Sequence, residues 1–100
     1  MYYLYIIYSE SSDKYYVGHT DNVDQRLVEH NSSERLTYTS KHRPWKLMAA
    51  YECAQTRGGA VKIERFIKKQ KSRKLIEALV SGGKLDGVLA QLVRVPQVRD

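Results

Sequence analysis

The sequence predicts a small α+β domain (α/β in the broader sense), with a short antiparallel sheet flanked by helices in the order β-β-α-β-α-α. Three observations carry this. The chain has 100 residues, enough for one hydrophobic core but not two domains. Two runs rich in tyrosine and β-branched residues open it, separated by a polar turn. Beyond them, segments with apolar residues at helical spacing alternate with a third strand-like run.

Tyr2–Tyr8 and Lys14–His19 read as the two strands of a hairpin, joined by the turn cluster Ser9-Glu10-Ser11-Ser12-Asp13. Thr20 or Asp21 is the expected cap of a helix running to about Asn31, with acids in its first turn suiting the helix dipole. Ser32–Pro44 is polar and irregular, and Trp45–Cys53 reads as the third strand. Thr56 is placed to cap a helix from near Gly59 to about Lys71, and Ser72–Val80 forms another that Gly82-Gly83 stops. Lys84–Val93 reads as a weaker amphipathic helix and Pro96–Asp100 as a tail. The expected organisation is thus a domain over residues 1–82 followed by a C-terminal helix and tail over 83–100.

Hydrophobic residues make up 42% and charged residues 28%, an ordinary composition for a globular protein. The uncharged opening that ends at Glu10 is too short and too polar to span a bilayer and lacks the features of a secretory signal, so a cytoplasmic protein without a membrane partner is expected. Cys53 is the single cysteine, which excludes a disulfide framework and a cysteine-based zinc cluster. The formal charge of +6 is unevenly spread: residues 1–33 carry net −3 and residues 34–100 net +9. A basic second half points to a polyanionic partner, most often nucleic acid, against a generic basic surface. Six of the eight tyrosines fall in the first sixteen residues, which suggests that hydroxyl groups or wet ring edges are wanted there.

Two helices carry chemistry beside their apolar stripes. In the first, Val23 and Leu27 define the inward face, and Arg26 and His30 project next to it. Arg26 either finds a carboxylate, snorkels to water, or awaits a ligand anion, because burying it alone is costly. In the second, Ala60, Ile63 and Ile67 share a face and Glu64 stands at its edge, the lone acid among Arg57, Lys62, Arg65, Lys68, Lys69, Lys71, Arg73 and Lys74. Glu64 is read either as the partner of Arg26 or Lys68, or as a hard ligand for Mg²⁺. The eight bases are read as a solvated face or, preferentially, as phosphate contacts. Together these groups suit phosphodiester hydrolysis, which needs a base for water, a cation at the phosphoryl group and a metal ion.

Leu4-Tyr5-Ile6 followed by Tyr16-Val17-Gly18 resembles the paired tripeptides of the GIY-YIG nuclease superfamily. Asp24-Gln25-Arg26-Leu27-Val28-Glu29-His30-Asn31 resembles its arginine–histidine helix, and Arg43-Pro44-Trp45-Lys46-Leu47 with Tyr51-Glu52 resembles the third strand of its small stand-alone bacterial members. Ile63-Glu64-Arg65-Phe66-Ile67-Lys68-Lys69 resembles the glutamate helix, and Lys74-Leu75-Ile76 the end of the core, so the likeness covers roughly residues 2–80. Leu4 replaces the first glycine, and the late asparagine of some members has no counterpart after residue 64.

The resemblance implies a three-stranded antiparallel sheet between helices and metal-dependent cleavage. It implies that Tyr5, or else Tyr16, takes the proton from water, that Arg26 holds the scissile phosphate, and that His30 orients a tyrosine or shares the proton. Glu64 would bind one Mg²⁺ or Mn²⁺. Lys62, Arg65, Lys68, Lys69, Lys71, Arg73 and Lys74 are the expected nucleic-acid contacts. His19 is read as an ordinary surface residue in preference to a second proton carrier. The expected function is a metal-dependent endonuclease acting on DNA, of repair or recombination type, with a protein partner supplying target recognition. The alternatives are a non-cleaving nucleic-acid-binding module that keeps the fold, and an adaptor for an acidic protein.

Overall fold

Strand β1 (Tyr2–Ser9) has no polar alternation: Leu4, Ile6 and Ile7 are wholly buried and Tyr5 nearly so. A strand with that pattern belongs in the middle of a sheet covered on both faces. The computed structural model, which describes residues 1–32 and 38–96, has it there. The sheet order is β2 (Lys14–Thr20), β1, β3 (Trp45–Ala54), β4 (Val93–Arg94), and every neighbouring pair is antiparallel. Leu4 and Ile6 face a core built with α2 (Arg57–Gln70) and α3 (Arg73–Ser81), which adds Ile63, Ile67 and Leu79. Tyr5 and Ile7 face the other way, with Trp45, toward Val23 and Leu27 of α1 (Val23–Ser32).

A register shift between Ile6 and Ile7 lets β3 serve both layers. Ile6 pairs with Ala49 but Ile7 with Leu47, so Met48 is an extra residue on β3. Trp45 and Leu47 therefore join the Tyr5 layer, while Ala49, Tyr51 and Cys53 join the α2–α3 layer. Such a bulge resets which face the following side chains point to.

Local chemistry sets the helix ends. Asn22, not Thr20 or Asp21, caps α1: its side-chain oxygen accepts from Gln25 N at 3.0 Å, while Thr20 closes a turn by accepting from Asn22 N at 3.1 Å. Thr56 accepts from Gly59 N at 3.1 Å, as expected, but α2 starts at Arg57, two residues earlier than Gly59. The helix ends where Lys71 adopts the left-handed conformation (φ 49°), and Ser72 at once caps α3 through Leu75 N.

Two expectations are corrected. The Ser32–Pro44 segment contains a 3₁₀ turn at Thr39–His42, and Ser32 still belongs to α1; residues 33–37 lie outside the described residues, as do 97–100 of the tail. The amphipathic α-helix expected over Lys84–Val93 is instead a 3₁₀ turn at Gly87–Gln91 leading into β4, so the sheet has four strands and not three. Gly87 sits at φ 61°, which an α-helix cannot contain, and the three-residue spacing of buried Leu89 and Leu92 suits the tighter turn. No helix among the described residues is long and apolar enough to cross a membrane.

Candidate active site

The hairpin register sets Tyr5 opposite Gly18. The phenol lies across that glycine so closely that a Cβ there would fall 2.5 Å from the Tyr5 hydroxyl. Lying flat, Tyr5 reaches the last turn of α1, where its hydroxyl is 2.7 Å from His30 Nε2. The other ring nitrogen of His30, Nδ1, is 2.9 Å from the Thr39 hydroxyl. The imidazole is thus held at both ends. Its surroundings are pinned as well: Arg43 Nε donates to the His30 carbonyl at 2.7 Å, and Trp45 Nε1 donates to the Thr39 carbonyl at 2.7 Å. Asn31 fastens α1 to β3 by donating to Trp45 O at 3.0 Å and accepting from Trp45 N at 2.6 Å.

Tyr16 extends the cluster toward the open edge of the sheet. Its ring centre is 5.2 Å from that of His30 and 6.4 Å from that of Tyr5, and Tyr38 stacks on it at 6.3 Å. Over the same ring, at 5.1 Å, lies the Lys68 ammonium from α2. Lys68 also binds Glu64 Oε2 at 2.6 Å, and His19 Nδ1 binds Glu64 Oε1 at 2.6 Å. The Glu64 side chain is only 17% exposed. Arg26 reaches the cluster from α1; its side chain is 42% exposed and its ion pair, with Glu29, is long at 3.4 Å.

The structure therefore brings Tyr5, Tyr16 and His30 into direct contact and joins Glu64 to them through Lys68, while Arg26 and Glu64 both act electrostatically on Tyr5. The Glu64 carboxylate takes Lys68 and His19 as partners, not Arg26. Burial and the neighbouring Tyr16 push the Tyr5 phenol well above its ordinary value; Arg26 pulls it down but is outweighed. Burial, with Arg26 and Arg43 adding to it, holds His30 below the usual histidine value, so its ring is neutral near pH 7. Burial alone would raise Glu64, yet its contacts with Lys68 and His19 bring it below the ordinary carboxylate value, so it is ionised.

No trio of His, Cys, Asp or Glu among the described residues can cage a metal ion. What fits this donor set is one hard cation on the Glu64 carboxylate, with water and phosphate oxygens completing its shell.

The expected basic contacts divide into groups. Lys68 and Lys71 lie on the Glu64 side of α2 and line a groove of about 430 Å³, together with Arg73 at the start of α3. Arg73 is already paired with Asp13 at 2.7 Å and Glu77 at 3.1 Å. Lys62, Arg65 and Lys69 point away from the buried stripe on another side of α2, and Lys74 is exposed on α3. Lys14, Tyr38 and Thr39 belong to the site or its groove, although the sequence did not single them out as such, and His19, expected to be an ordinary surface residue, is instead a partner of Glu64. Tyr38 and Thr39 stand in a segment without periodicity, and nothing in the sequence marks them. The signal for His19 was its place directly after Gly18.

A helix-flanked antiparallel sheet that gathers two tyrosines, a histidine, an arginine and a glutamate around one edge has the character of a nuclease-type fold. The chain belongs to the GIY-YIG family, whose catalytic domain matches residues 1–77. Among its relatives, a UPF0213 protein of Haloquadratum walsbyi is 38% identical over 79 residues, covering 75% of this chain and 85% of that protein. A UPF0213 protein of Pediococcus acidilactici is 32% identical over 84 residues, covering 82% and 84%. One from Bacillus licheniformis is 37% identical over 73 residues, covering 73% of each chain.

Proposed function

We propose that the protein is a metal-dependent endonuclease that hydrolyses phosphodiester bonds in DNA, in a repair- or recombination-type role. The observation that carries this reading is the 2.7 Å contact between the Tyr5 hydroxyl and a neutral His30. A buried phenol is too weak an acid to ionise beforehand, so Tyr5 works here as a relay. It takes the proton of the attacking water while passing its own to His30 Nε2, with Nδ1–H donating to Thr39. Arg26, half exposed and weakly paired, binds the scissile phosphate and stabilises the charge that grows on it. Glu64 would hold one Mg²⁺ or Mn²⁺, which when bound would supply further neutralisation of that charge. The exposed lysines of α2 contact neighbouring phosphates.

One observation favours a second reading, the non-cleaving binder: both Glu64 oxygens are already engaged, by His19 and Lys68. A nicking assay on supercoiled plasmid and branched DNA, with Mg²⁺ or Mn²⁺, decides between them. Nicking by the wild type and none by Glu64→Gln supports the nuclease. Plasmid retention without nicking under every metal condition supports the binder.

A further inference from the structure

We propose that Lys68 is a built-in stand-in for the divalent cation at Glu64, and that its displacement by metal hands a positive charge to the phosphate groove. This rests on the reading of Glu64 as the metal ligand. Lys68 is one turn beyond Glu64 on α2, and a surface pair at that spacing is commonplace. Two features set this pair apart. Glu64 is mostly covered, so its carboxylate loses much of its water and requires a cation, whereas the Lys68 side chain is 46% exposed and can leave. The ammonium also has a second, cationic contact, the face of the Tyr16 ring, which holds it over the tyrosine–histidine cluster.

An ammonium and a divalent ion repel each other and compete for the same oxygen, Oε2, because Oε1 is held by His19. Metal binding thus expels Lys68. The space open to it is the groove that Lys68 already lines, beside Lys14, Lys71 and the rings of Tyr16 and Tyr38. Among the described residues neither Lys14 nor Lys71 has an ion-pair partner, while Arg73 is occupied by Asp13 and Glu77. The released ammonium completes a trio of cations without carboxylate partners, a setting for a phosphate of the bound strand. Linkage makes the effect reciprocal: if metal strengthens phosphate binding through Lys68, phosphate strengthens metal binding by the same factor.

The test is a Mn²⁺ titration of the whole chain followed by electron paramagnetic resonance, with and without a cleavage-resistant phosphorothioate oligonucleotide. Wild type, Lys68→Met, Lys68→Gln and Glu64→Gln are compared, each checked for folding by circular dichroism. Without nucleic acid, both Lys68 variants are expected to bind Mn²⁺ about tenfold more tightly than wild type, within the usual range of coupling between sites. Adding the oligonucleotide is expected to tighten Mn²⁺ binding by wild type severalfold, and by the Lys68 variants much less. Unchanged or weaker Mn²⁺ binding by the folded Lys68 variants overturns the proposal and leaves Glu64 as a ligand. Wild-type binding that persists in Glu64→Gln, or no binding by any form, overturns the metal reading of Glu64 and this proposal with it.

Discussion

A free phenol gives up its proton near pH 10, and the burial of Tyr5 makes it more reluctant still. In the proposed relay the burden of accepting a proton passes to His30, whose value lies below the ordinary 6.5 because burial and then Arg26 disfavour the charged ring. The sign follows: the neutral, accepting form persists to lower pH than in a free histidine, so the acid limb of the kcat/KM profile should fall below pH 6.5. A limb above that value would remove His30 as the acceptor. The same shift has a consequence for stability. The unfolded chain takes up the proton first as pH falls, so the His30 contribution is present above about 6.5 and is lost on the way down to the folded value. Tyr5→Phe should lower the cleavage rate by roughly two to four orders of magnitude, the usual worth of a general-base group, with Mn²⁺ affinity near wild type. Gly18→Ala tests the geometry without touching a chemical group. The added methyl falls 2.5 Å from the Tyr5 hydroxyl, and relieving that overlap should cost about 1–3 kcal/mol in a urea melt. It should also lower cleavage nearly as far as Tyr5→Phe, and a Gly18→Ala protein with wild-type rate would show that Tyr5 need not lie flat.

Helix α2 presents its charges on more than one side, and this sharpens the expectation for binding. Lys71 shares the Glu64 side and, with Lys14 of β2, lines the groove, whereas Lys62 and Lys69 face elsewhere. Two double variants of equal charge, Lys14→Glu/Lys71→Glu and Lys62→Glu/Lys69→Glu, should therefore differ in DNA affinity. The first should weaken binding more and lower the salt slope by about two, near 0.9 per lost phosphate contact. Equal losses would mean that the whole helix, not the groove, meets the backbone. At this scale the sequence was readable where a period or a cap marks the element. The hairpin, the third strand, the Thr56 cap and the stripe of Ala60, Ile63 and Ile67 all follow from patterns within a few residues. What it hid depends on partners distant in the chain. The extra residue at Met48 moves Trp45 and Leu47 to one face and Tyr51 to the other, and only pairing with β1 reveals it. Tyr38 and Thr39 were hidden in the same way, since they matter through Tyr16 and His30.

Across the whole molecule, the segment after α3 acts as a strap. Leu89 and Leu92 enter the core beside Leu79, and Val95 N donates to Ala50 O at 2.8 Å. Arg94 donates to the Leu79 carbonyl at 2.9 Å and lies over the Tyr51 ring. The strap lies beyond the matched catalytic domain, yet it closes the outer edge of β3. Leu92→Ala should cost about 2–5 kcal/mol in chemical denaturation, the range for emptying a buried leucine site. It should leave the per-molecule cleavage rate of the folded fraction unchanged, because the strap pairs in the sheet with β3, whereas Tyr5, His30 and Glu64 lie on β1, α1 and α2. A loss under about 0.5 kcal/mol, the ordinary size of a surface change, would make the strap ornamental. The hydrophobic spacing of Leu89 and Leu92 was visible in the sequence as an amphipathic pattern, but a period of three to four does not separate a tight turn from an α-helix when the segment is this short.

The position of β1 has a consequence in time. The strand that ends in the middle of the sheet is the first one synthesised, and its second neighbour, β3, begins about 35 residues later. At a ribosomal rate of roughly 5–20 residues per second, that interval lasts about 2–7 s. Through it the nascent hairpin carries Leu4, Tyr5, Ile6 and Ile7 with one backbone edge bare, the configuration most apt to pair with another chain. Slower translation lengthens the exposure. The pace at which the ribosome delivers Trp45–Ala54 therefore sets how long that edge stays bare.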